Sequence, residues 1–163
     1  MIILGIDPGT SRIGYALVTT HPKFALKKAG VIEIPKEDHA RKLAKLRAEI
    51  KKLICAWSPD LLALETLFFS KNRKTALTVA EARGVILASA AEAHLTVREL
   101  NPTSVKRIVG GHGGSEKAAL TRVMERLFGF KIPKGPDDIS DAAAIALAAA
   151  LHSEQVIHNW GGG

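Results

Sequence analysis

The sequence predicts a single α/β domain in which a mixed five-stranded sheet carries helices on both faces. Two observations support this prediction. Three extended segments near the amino terminus are separated only by turn-length links, and after about residue 38 helical and extended patterns alternate. Short links join antiparallel strands, whereas a strand–helix–strand unit joins parallel ones, so both kinds of pairing are expected in one sheet.

The first three strands are expected to form an antiparallel meander. Residues 2–7 are apolar on both faces, which indicates a strand at the centre of the sheet. The segment Asp7-Pro8-Gly9-Thr10 has the composition of a turn. Residues 12–19 alternate loosely between apolar and polar side chains, and residues around 24–34 follow as the third strand.

The next part of the chain alternates between helix and strand. Asp38 is suited to cap a helix over residues 39–56, whose apolar positions recur at helical spacing. A short apolar run at 61–65 indicates a buried strand. A long helix is predicted over about 73–94, and a fifth strand over 96–100.

Three further helices complete the prediction. Asn101 is expected to cap a short helix, with Pro102 at its first position, where the missing N–H of proline is not needed. Ser115 is expected to cap the next helix and Gly129 to end it. Asp137 or Asp138 is expected to cap the last helix. The domain is therefore predicted over residues 1–157, with a disordered tail at 158–163.

The composition indicates a basic protein with a polyanionic partner. The formal net charge is +7 and the isoelectric point about 9.7. Such a balance favours nucleic acid, although a membrane surface or an acidic protein would also suit it. Cys55 is the only cysteine, so no disulfide framework and no cysteine-rich zinc site is expected. The longest apolar stretch, 142–151, is too short for a bilayer span, which needs about 20 residues. We expect a cytoplasmic location and no membrane association.

Four acidic residues stand where their carboxylates can meet. Asp7 ends the first strand, Glu65 ends the fourth, and Asp138 and Asp141 lie three residues apart at the start of the last helix. Each acid also has a simpler interpretation. Asp7 could be a turn residue and Glu65 a member of a structural ion pair, whereas Asp138 and Asp141 could cap the last helix. Spacing alone does not choose between Asp137 and Asp138, because either shares a helix face with Asp141. Together the four favour a site for two divalent metal ions over coincidence.

Several short segments of the chain stand in the order and at the spacing found in one known family. They are Gly5-Ile6-Asp7-Pro8-Gly9-Thr10, Glu65-Thr66-Leu67-Phe68, Lys71-Asn72, Ala82-Arg83-Gly84, Val105-Lys106, Gly113-Gly114-Ser115-Glu116-Lys117 and Asp138-x-x-Asp141-Ala142. On these segments the chain strongly resembles the RuvC family of bacterial Holliday junction resolvases, members of the ribonuclease H-like superfamily. The resemblance covers about residues 2–152.

The resemblance implies a ribonuclease H-like fold and a structure-selective endonuclease. Such an enzyme nicks two opposed strands of four-way junction DNA in homologous recombination and DNA repair. The catalytic and metal-binding residues would be Asp7, Glu65, Asp138 and Asp141, holding two Mg²⁺ ions for which Mn²⁺ substitutes. The family pattern favours Asp138 over Asp137. The RuvA–RuvB branch-migration complex is the implied partner that hands over the junction.

Six residues are candidates for DNA binding. They are Phe68, Lys71, Arg73, Lys74, Lys106 and Lys117. The resemblance points to Phe68 as a ring that stacks on bases, and to Lys106 and Lys117 as phosphate contacts near the active site. The simpler interpretation is that the phenylalanine belongs to the core and that the basic residues are ordinary solvated charges.

The helix over 73–94 has two apolar faces, which indicates a homodimer. One face contains Leu77, Ala80, Gly84, Leu87 and Ala91, and the other contains Val79, Ala82, Ile86, Ala90 and Ala93. One face can cover the sheet, and the small residues of the second permit close approach of a partner helix. A helix buried within one subunit is the alternative. Two sites related by a twofold axis would suit two symmetrically placed DNA strands.

Two other functions stay open from the sequence. A non-catalytic junction-binding protein could use the same acids for capping and pairing. Another ribonuclease H-like nuclease could act on RNA or on simple flaps. A nucleotide-binding relative of actin would need a second domain, for which 163 residues leave no room.

Overall fold

The fold, seen in a computed structural model, is built on one five-stranded sheet. The strands are β1 (Ile2–Pro8), β2 (Arg12–Thr19), β3 (Ala25–Glu33), β4 (Leu61–Glu65) and β5 (Thr96–Leu100). Their order in the sheet is β3-β2-β1-β4-β5. The β1–β2 and β2–β3 pairs are antiparallel, and the β1–β4 and β4–β5 pairs are parallel. The predicted mixed five-stranded sheet is confirmed.

In the part of the chain that the structure describes, five helices cover the two faces of this sheet. They are α1 (His39–Trp57), α2 (Arg73–Glu92), α3 (Pro102–Gly110), α4 (Lys117–Phe128) and α5 (Asp137–Trp160). The structure describes residues 1–34, 38–66, 73–111, 114, 116–132 and 137–160, without the side chains of 73–75 and 154–160. The predicted tail at 158–163 thus falls partly in α5, which continues to Trp160, and partly outside the described residues.

Alternation along the central strands gives the domain two cores. On one face, Leu4 and Ile6 of β1 pack with buried residues of α1 and α2. On the other face, Ile3 of β1 packs with buried residues of α3, α4 and α5. Because successive strand side chains point to opposite faces, a strand that is apolar throughout must lie between two layers of helices. The prediction of helices on both faces is confirmed.

Helix α5 lies unusually close to the sheet. A Cβ added at Gly5 of β1 would stand 2.7 Å from Cβ of Ala146, and one added at Gly14 of β2 would stand 2.6 Å from the main-chain carbon of Asp138. Real Cβ atoms do not approach so closely, so glycine is required at both positions. The helix residues from Ala142 to Ala150 are all buried, since α3 and α4 cover the side that faces away from the sheet.

Three predicted helix ends are confirmed. Asp38 caps α1 and accepts a hydrogen bond from Arg41 N at 3.4 Å. Asn101 caps α3, accepting from Ser104 N at 2.6 Å, with Pro102 at the first position. Gly129 ends α4 in the left-handed conformation with φ of 75°.

Three predicted ends are wrong. Helix α2 ends at Glu92 and not at about residue 94, because His94 adopts a left-handed conformation with φ of 54°. The cap residue of α4 is Glu116 and not Ser115, and its side chain makes no capping hydrogen bond. Asp137 and Asp138 both lie inside the first turn of α5 and not at its cap. Acidic residues in a first turn interact favourably with the helix dipole without capping it.

None of the described helices combines the length and the apolar character that crossing a membrane requires.

Gly5→Ala is expected to lower the free energy of unfolding by about 1–3 kcal/mol or more, because the new methyl group forces α5 away from β1. Urea denaturation monitored by circular dichroism measures the change. Ala48→Ser is the control: Ala48 is exposed on α1, so the added hydroxyl meets solvent and should change the free energy of unfolding by no more than about 0.5 kcal/mol. Equal stability of the Gly5→Ala variant and the unmodified protein would contradict the close-packing argument.

Candidate active site

Two of the predicted acids lie side by side at one edge of the sheet. Strands β1 and β4 are parallel, and their register pairs Ile6 with Leu64. The next residues along the two strands are Asp7 and Glu65. In a parallel pair both strands end at the same edge, so the two carboxylates are neighbours at the carboxyl edge of the sheet.

Helix α5 brings two further acids to the same edge. The absence of a side chain at Gly14 lets the first turn of α5 approach β2 at Asp138. Asp141 follows one turn later and lies in a cleft of about 290 Å³. The cleft residues are Asp7, Glu65, Pro102, Val105, Lys106, Lys117, Leu120, Asp141, Ala144 and Ile145. Three of the four predicted acids and two of the predicted DNA-binding lysines therefore share one cleft.

Burial, and then the neighbouring carboxylates, disfavour the ionised forms of Asp7 and Glu65. Burial raises the pKa of Asp7 to about 7, with further contributions from the charges of Asp141, Glu65 and Asp138, whereas Lys117 acts in the opposite direction. Burial, and then the charge of Asp141, also raises the pKa of Glu65, which Lys106 partly offsets. The cluster therefore holds excess negative charge that a bound cation would neutralise.

Two basic side chains offset part of this charge. Lys117 Nζ lies 3.0 Å from Asp141 Oδ2 and 3.4 Å from Asp137 Oδ2. Partial burial is the largest single effect and acts to lower the pKa of Lys117, but the hydrogen bonds and charges of Asp141 and Asp137 together outweigh it, so the pKa is raised. Arg12 Nε lies 3.5 Å from Asp138 Oδ2. At that distance and geometry it makes no hydrogen bond, and Asp138 Oδ2 is buried without a hydrogen-bond partner.

The structure distinguishes Asp138 from its neighbour Asp137. The side chain of Asp138 is 25% exposed and its charge acts on Asp7. The side chain of Asp137 is 85% exposed and pairs with Lys117 at the rim. An acid that is partly buried and faces the other carboxylates is better placed to bind a cation than one in solvent. The geometry favours Asp138, in agreement with the family pattern.

The donor set fits a divalent cation, although the side chains are not arranged around one. Within the described ranges, no three acidic, histidine or cysteine groups are gathered closely enough to hold a metal ion as they stand. Lys117 and Arg12 hold Asp141 and Asp138 instead. Carboxylate oxygens are the preferred ligands of Mg²⁺ and Ca²⁺. Asp138 Oδ2 is buried without a hydrogen-bond donor, and the raised pKa of Asp7 indicates that a negative charge there is incompletely compensated.

The remaining candidate residues are only partly described. Lys106 and Lys117 are exposed and border the cleft. Arg73 and Lys74 lie in the first turn of α2, but their side chains are outside the described part of the structure. Phe68 and Lys71 fall in 67–72, outside the described residues. The roles of all six residues stay predictions.

Two arginines next to the acids were not assigned a role from the sequence. Arg12 begins β2, and the β1–β2 hairpin register pairs Pro8 with Ile13, so the hairpin brings Arg12 to the same edge as Asp7. That register is the signal from which Arg12 could have been found. Arg83 donates a hydrogen bond to the main-chain carbonyl of Glu65. No local pattern indicates that contact, because it joins α2 to the end of β4.

The chain matches the family model described as "Crossover junction endodeoxyribonuclease RuvC" over residues 3–149. A relative with that name from Moorella thermoacetica is 43% identical over 154 residues, covering 92% of this chain and 91% of the relative. The fold is similar to that of Thermus thermophilus RuvC, with a TM-score of 0.88 and 28% identity over 95% of this chain and 96% of that one. T. thermophilus RuvC in complex with Holliday junction substrate has a TM-score of 0.86 and 26% identity, with the same coverage.

Asp7→Asn is expected to stabilise the metal-free protein at pH 8 by roughly 1–4 kcal/mol, because it removes a buried carboxylate from a repulsive cluster. The folded-state pKa of Asp7 lies above the value of 3.8 for the free side chain. Its protonated form therefore favours folding below about pH 4, and this contribution is lost as the pH rises through 7. The gain from Asp7→Asn should accordingly shrink as the pH falls from 8 towards 4.

Chemical denaturation in EDTA at several pH values tests this expectation. Asp137→Asn is the matched control, since that carboxylate is exposed and its removal should change stability by no more than about 0.5 kcal/mol. A gain from Asp7→Asn that is the same at pH 5 and pH 8 would show that charge repulsion is not its cause.

Proposed function

Because the chain belongs to the RuvC family of crossover junction endodeoxyribonucleases, we propose that it resolves Holliday junctions by hydrolysing phosphodiester bonds in DNA. The family model matches nearly the whole chain, and relatives share the fold as well as the sequence. The observation that carries the proposal is the cleft in which Asp7, Glu65 and Asp141 lie together with Lys106 and Lys117. Carboxylates attract metal ions, and lysines attract the phosphates of the substrate.

Activity in this family depends on divalent metal. We infer that Asp7, Glu65, Asp138 and Asp141 would hold two Mg²⁺ ions, with Mn²⁺ as a substitute. Metal ions bound there supply Lewis acidity, which activates water for attack and neutralises charge on the phosphate. The carboxylates hold and orient the ions. Lys117 must exchange its contact with Asp141 for one with a phosphate oxygen, which its position at the rim of the cleft makes possible.

The basic surface around the cleft is the proposed DNA contact. Lys106 and Lys117 would bind phosphates flanking the scissile bond, while Lys71, Arg73 and Lys74 extend the contact from the segment after β4. Phe68 is proposed to stack on bases at the centre of the junction, by family resemblance. The net charge of +7 supports binding that weakens as salt concentration rises. With DNA as substrate, the expected location is the cytoplasm.

The proposed dimer interface is the open face of α2, defined as Leu77, Ala80, Gly84, Leu87 and Ala91, of which Leu87 also packs partly against the core. Leu77 is 63% exposed, and Gly84 has open space where its side chain would be. The opposite side of the helix, with Ala82 and Ile86, is buried against the sheet. A second copy pairing through the open face would cover its apolar surface and relate two clefts by a twofold axis. Two such clefts suit symmetric nicking of two opposed strands.

The RuvA–RuvB branch-migration complex is the proposed partner that presents the junction. This proposal rests on the family alone. A junction that already carries that complex should then be cleaved faster than the free junction.

An end-labelled four-way junction is expected to be nicked in two opposed strands in Mg²⁺, and to stay intact in EDTA. The matching linear duplex is the substrate control and should not be cut. Asp7→Asn should lower the cleavage rate by about 10³-fold or more, while junction binding stays equal or becomes tighter because one repulsive charge near phosphate is removed. Tight junction binding without cleavage in either Mg²⁺ or Mn²⁺ would instead indicate a junction-binding protein.

Gly84→Gln is expected to convert the dimer to a monomer without unfolding it, because the added side chain has open space in the subunit but not between two packed helices. Light scattering coupled to size exclusion measures the mass, and junction cleavage by the variant should give single, unpaired nicks. Ala48→Gln is the control, since Ala48 is an exposed position on α1. An unchanged dimer in the Gly84→Gln variant would place the interface elsewhere.

A further inference from the structure

Arg83 is the most deeply buried charged residue among those that the structure describes, with 8% of its surface exposed. It lies on α2 next to Ala82, on the side of the helix that packs against the sheet. A buried guanidinium is costly unless it is paired and hydrogen-bonded. Its partners therefore indicate what it does.

Those partners lie at the ends of two neighbouring strands. One Nη of Arg83 donates a hydrogen bond to the main-chain carbonyl of Glu65, the last residue of β4. The other Nη forms an ion pair with the carboxylate of Glu99 on β5. The β4–β5 register pairs Leu64 with Glu99, so the guanidinium bridges the two strands next to Glu65, the β4 residue that lines the cleft. A planar fork of donors suits such a bridge, which a single ammonium group would not reproduce.

The hydrogen bond from Arg83 to the Glu65 carbonyl replaces a main-chain hydrogen bond that the neighbouring strand β1 does not donate. Beyond Glu65, Thr66 N donates to Leu100 O at 2.9 Å, which ties the chain to β5. On the other side, β1 continues past Asp7 with Pro8, which has no N–H to donate to β4. The Glu65 carbonyl receives its donor from Arg83 instead. The main chain of Glu65 is thus fixed from β5 on one side and from α2 on the other.

We propose that Arg83 is a positioning residue that fixes the main chain of Glu65, and thereby directs the Glu65 carboxylate towards Asp7 and Asp141 for metal binding. The inference rests on the proposed function and adds the residue that orients one of its four acids. Among the described residues, Arg83 is not part of the cleft lining, and its partners are the Glu65 carbonyl and Glu99 and not the other three acids. Groups that orient metal ligands usually contribute about 10–100-fold to metal affinity or activity.

Arg83→Met is the principal test, because methionine keeps the apolar stem and removes both donors. Arg98→Met is the matched control. Arg98 on β5 is also partly buried and donates to the Ala149 carbonyl at 2.9 Å and to Ser153 Oγ at 2.6 Å, but it ties the sheet to a part of α5 beyond Asp141. Both variants should unfold at a lower temperature, so all assays are run where both remain folded by circular dichroism.

The first readout is binding of Mg²⁺ alone, followed as the rise in unfolding temperature with Mg²⁺ concentration. The Mg²⁺ concentration that gives the same fixed rise in unfolding temperature should increase about 10–100-fold in Arg83→Met and stay unchanged in Arg98→Met. The second readout is junction cleavage at saturating Mg²⁺, for which kcat should fall and KM for the junction should change little. A merely structural role would affect Arg83→Met and Arg98→Met alike in both readouts.

Two milder variants keep the proposal testable if Arg83→Met does not fold. Arg83→Lys retains one donor and should recover part of the lost Mg²⁺ affinity. Glu99→Gln leaves Arg83 in place but removes the half-exposed carboxylate that holds it, and it should shift Mg²⁺ binding in the same direction by a smaller factor.

Wild-type Mg²⁺ affinity in Arg83→Met, or in both Arg83→Lys and Glu99→Gln, would overturn the proposal. So would a wild-type protein whose unfolding temperature does not respond to Mg²⁺. Failure of the wild-type protein to cut the junction would overturn the proposed function instead, because the Mg²⁺ titration tests Arg83 without any DNA.

Discussion

The close approach of α5 to the sheet is the constraint on which the rest of the structure depends. Gly5 and Gly14 leave no Cβ between the helix and strands β1 and β2, and the alanine-rich run from 142 to 150 keeps the helix side chains short. A larger residue at either glycine would move the start of α5 outward. Asp138 and Asp141 are carried on that start, so core packing sets the distance between the helix acids and the strand acids.

The cluster of carboxylates formed in this way is locally unfavourable, and it conflicts with the rest of the fold, in which local signals and packing agree. Burial and mutual repulsion raise the pKa values of Asp7 and Glu65, and the counter-charges come from side chains at the rim, Lys117 and Arg12. Conflicts of this kind are expected at functional sites, where the missing partner is a ligand. The carboxylates inside the cleft are complementary to metal cations, and the basic side chains at its rim are complementary to a phosphodiester. The net charge of +7 extends that complementarity over the protein surface.

Most of the fold could be predicted because the local signals agree with one another. The predicted bounds of β2, β4 and β5 match the observed ones, since apolar alternation and flanking turn residues indicate the same limits. Predictions failed at helix ends, where the deciding factor is one residue's conformation or one hydrogen bond. His94 ends α2 by adopting positive φ, and Glu116 replaces Ser115 as the cap of α4. The periodicity of a helix contains no information about either.

The amino-acid sequence by itself determined the class of the fold, the family, and the placement of Asp7 and Glu65 at strand ends, because periodicity, turn chemistry and motif spacing are properties of neighbouring residues. The tertiary structure decided which of Asp137 and Asp138 faces the other acids, that Lys117 holds Asp141, and that Arg83 reaches the Glu65 carbonyl. These contacts join residues at least 18 positions apart in the chain. The geometry of these contacts depends on the distance between the helices and the sheet. That distance is set by the side-chain volumes that meet in the folded core.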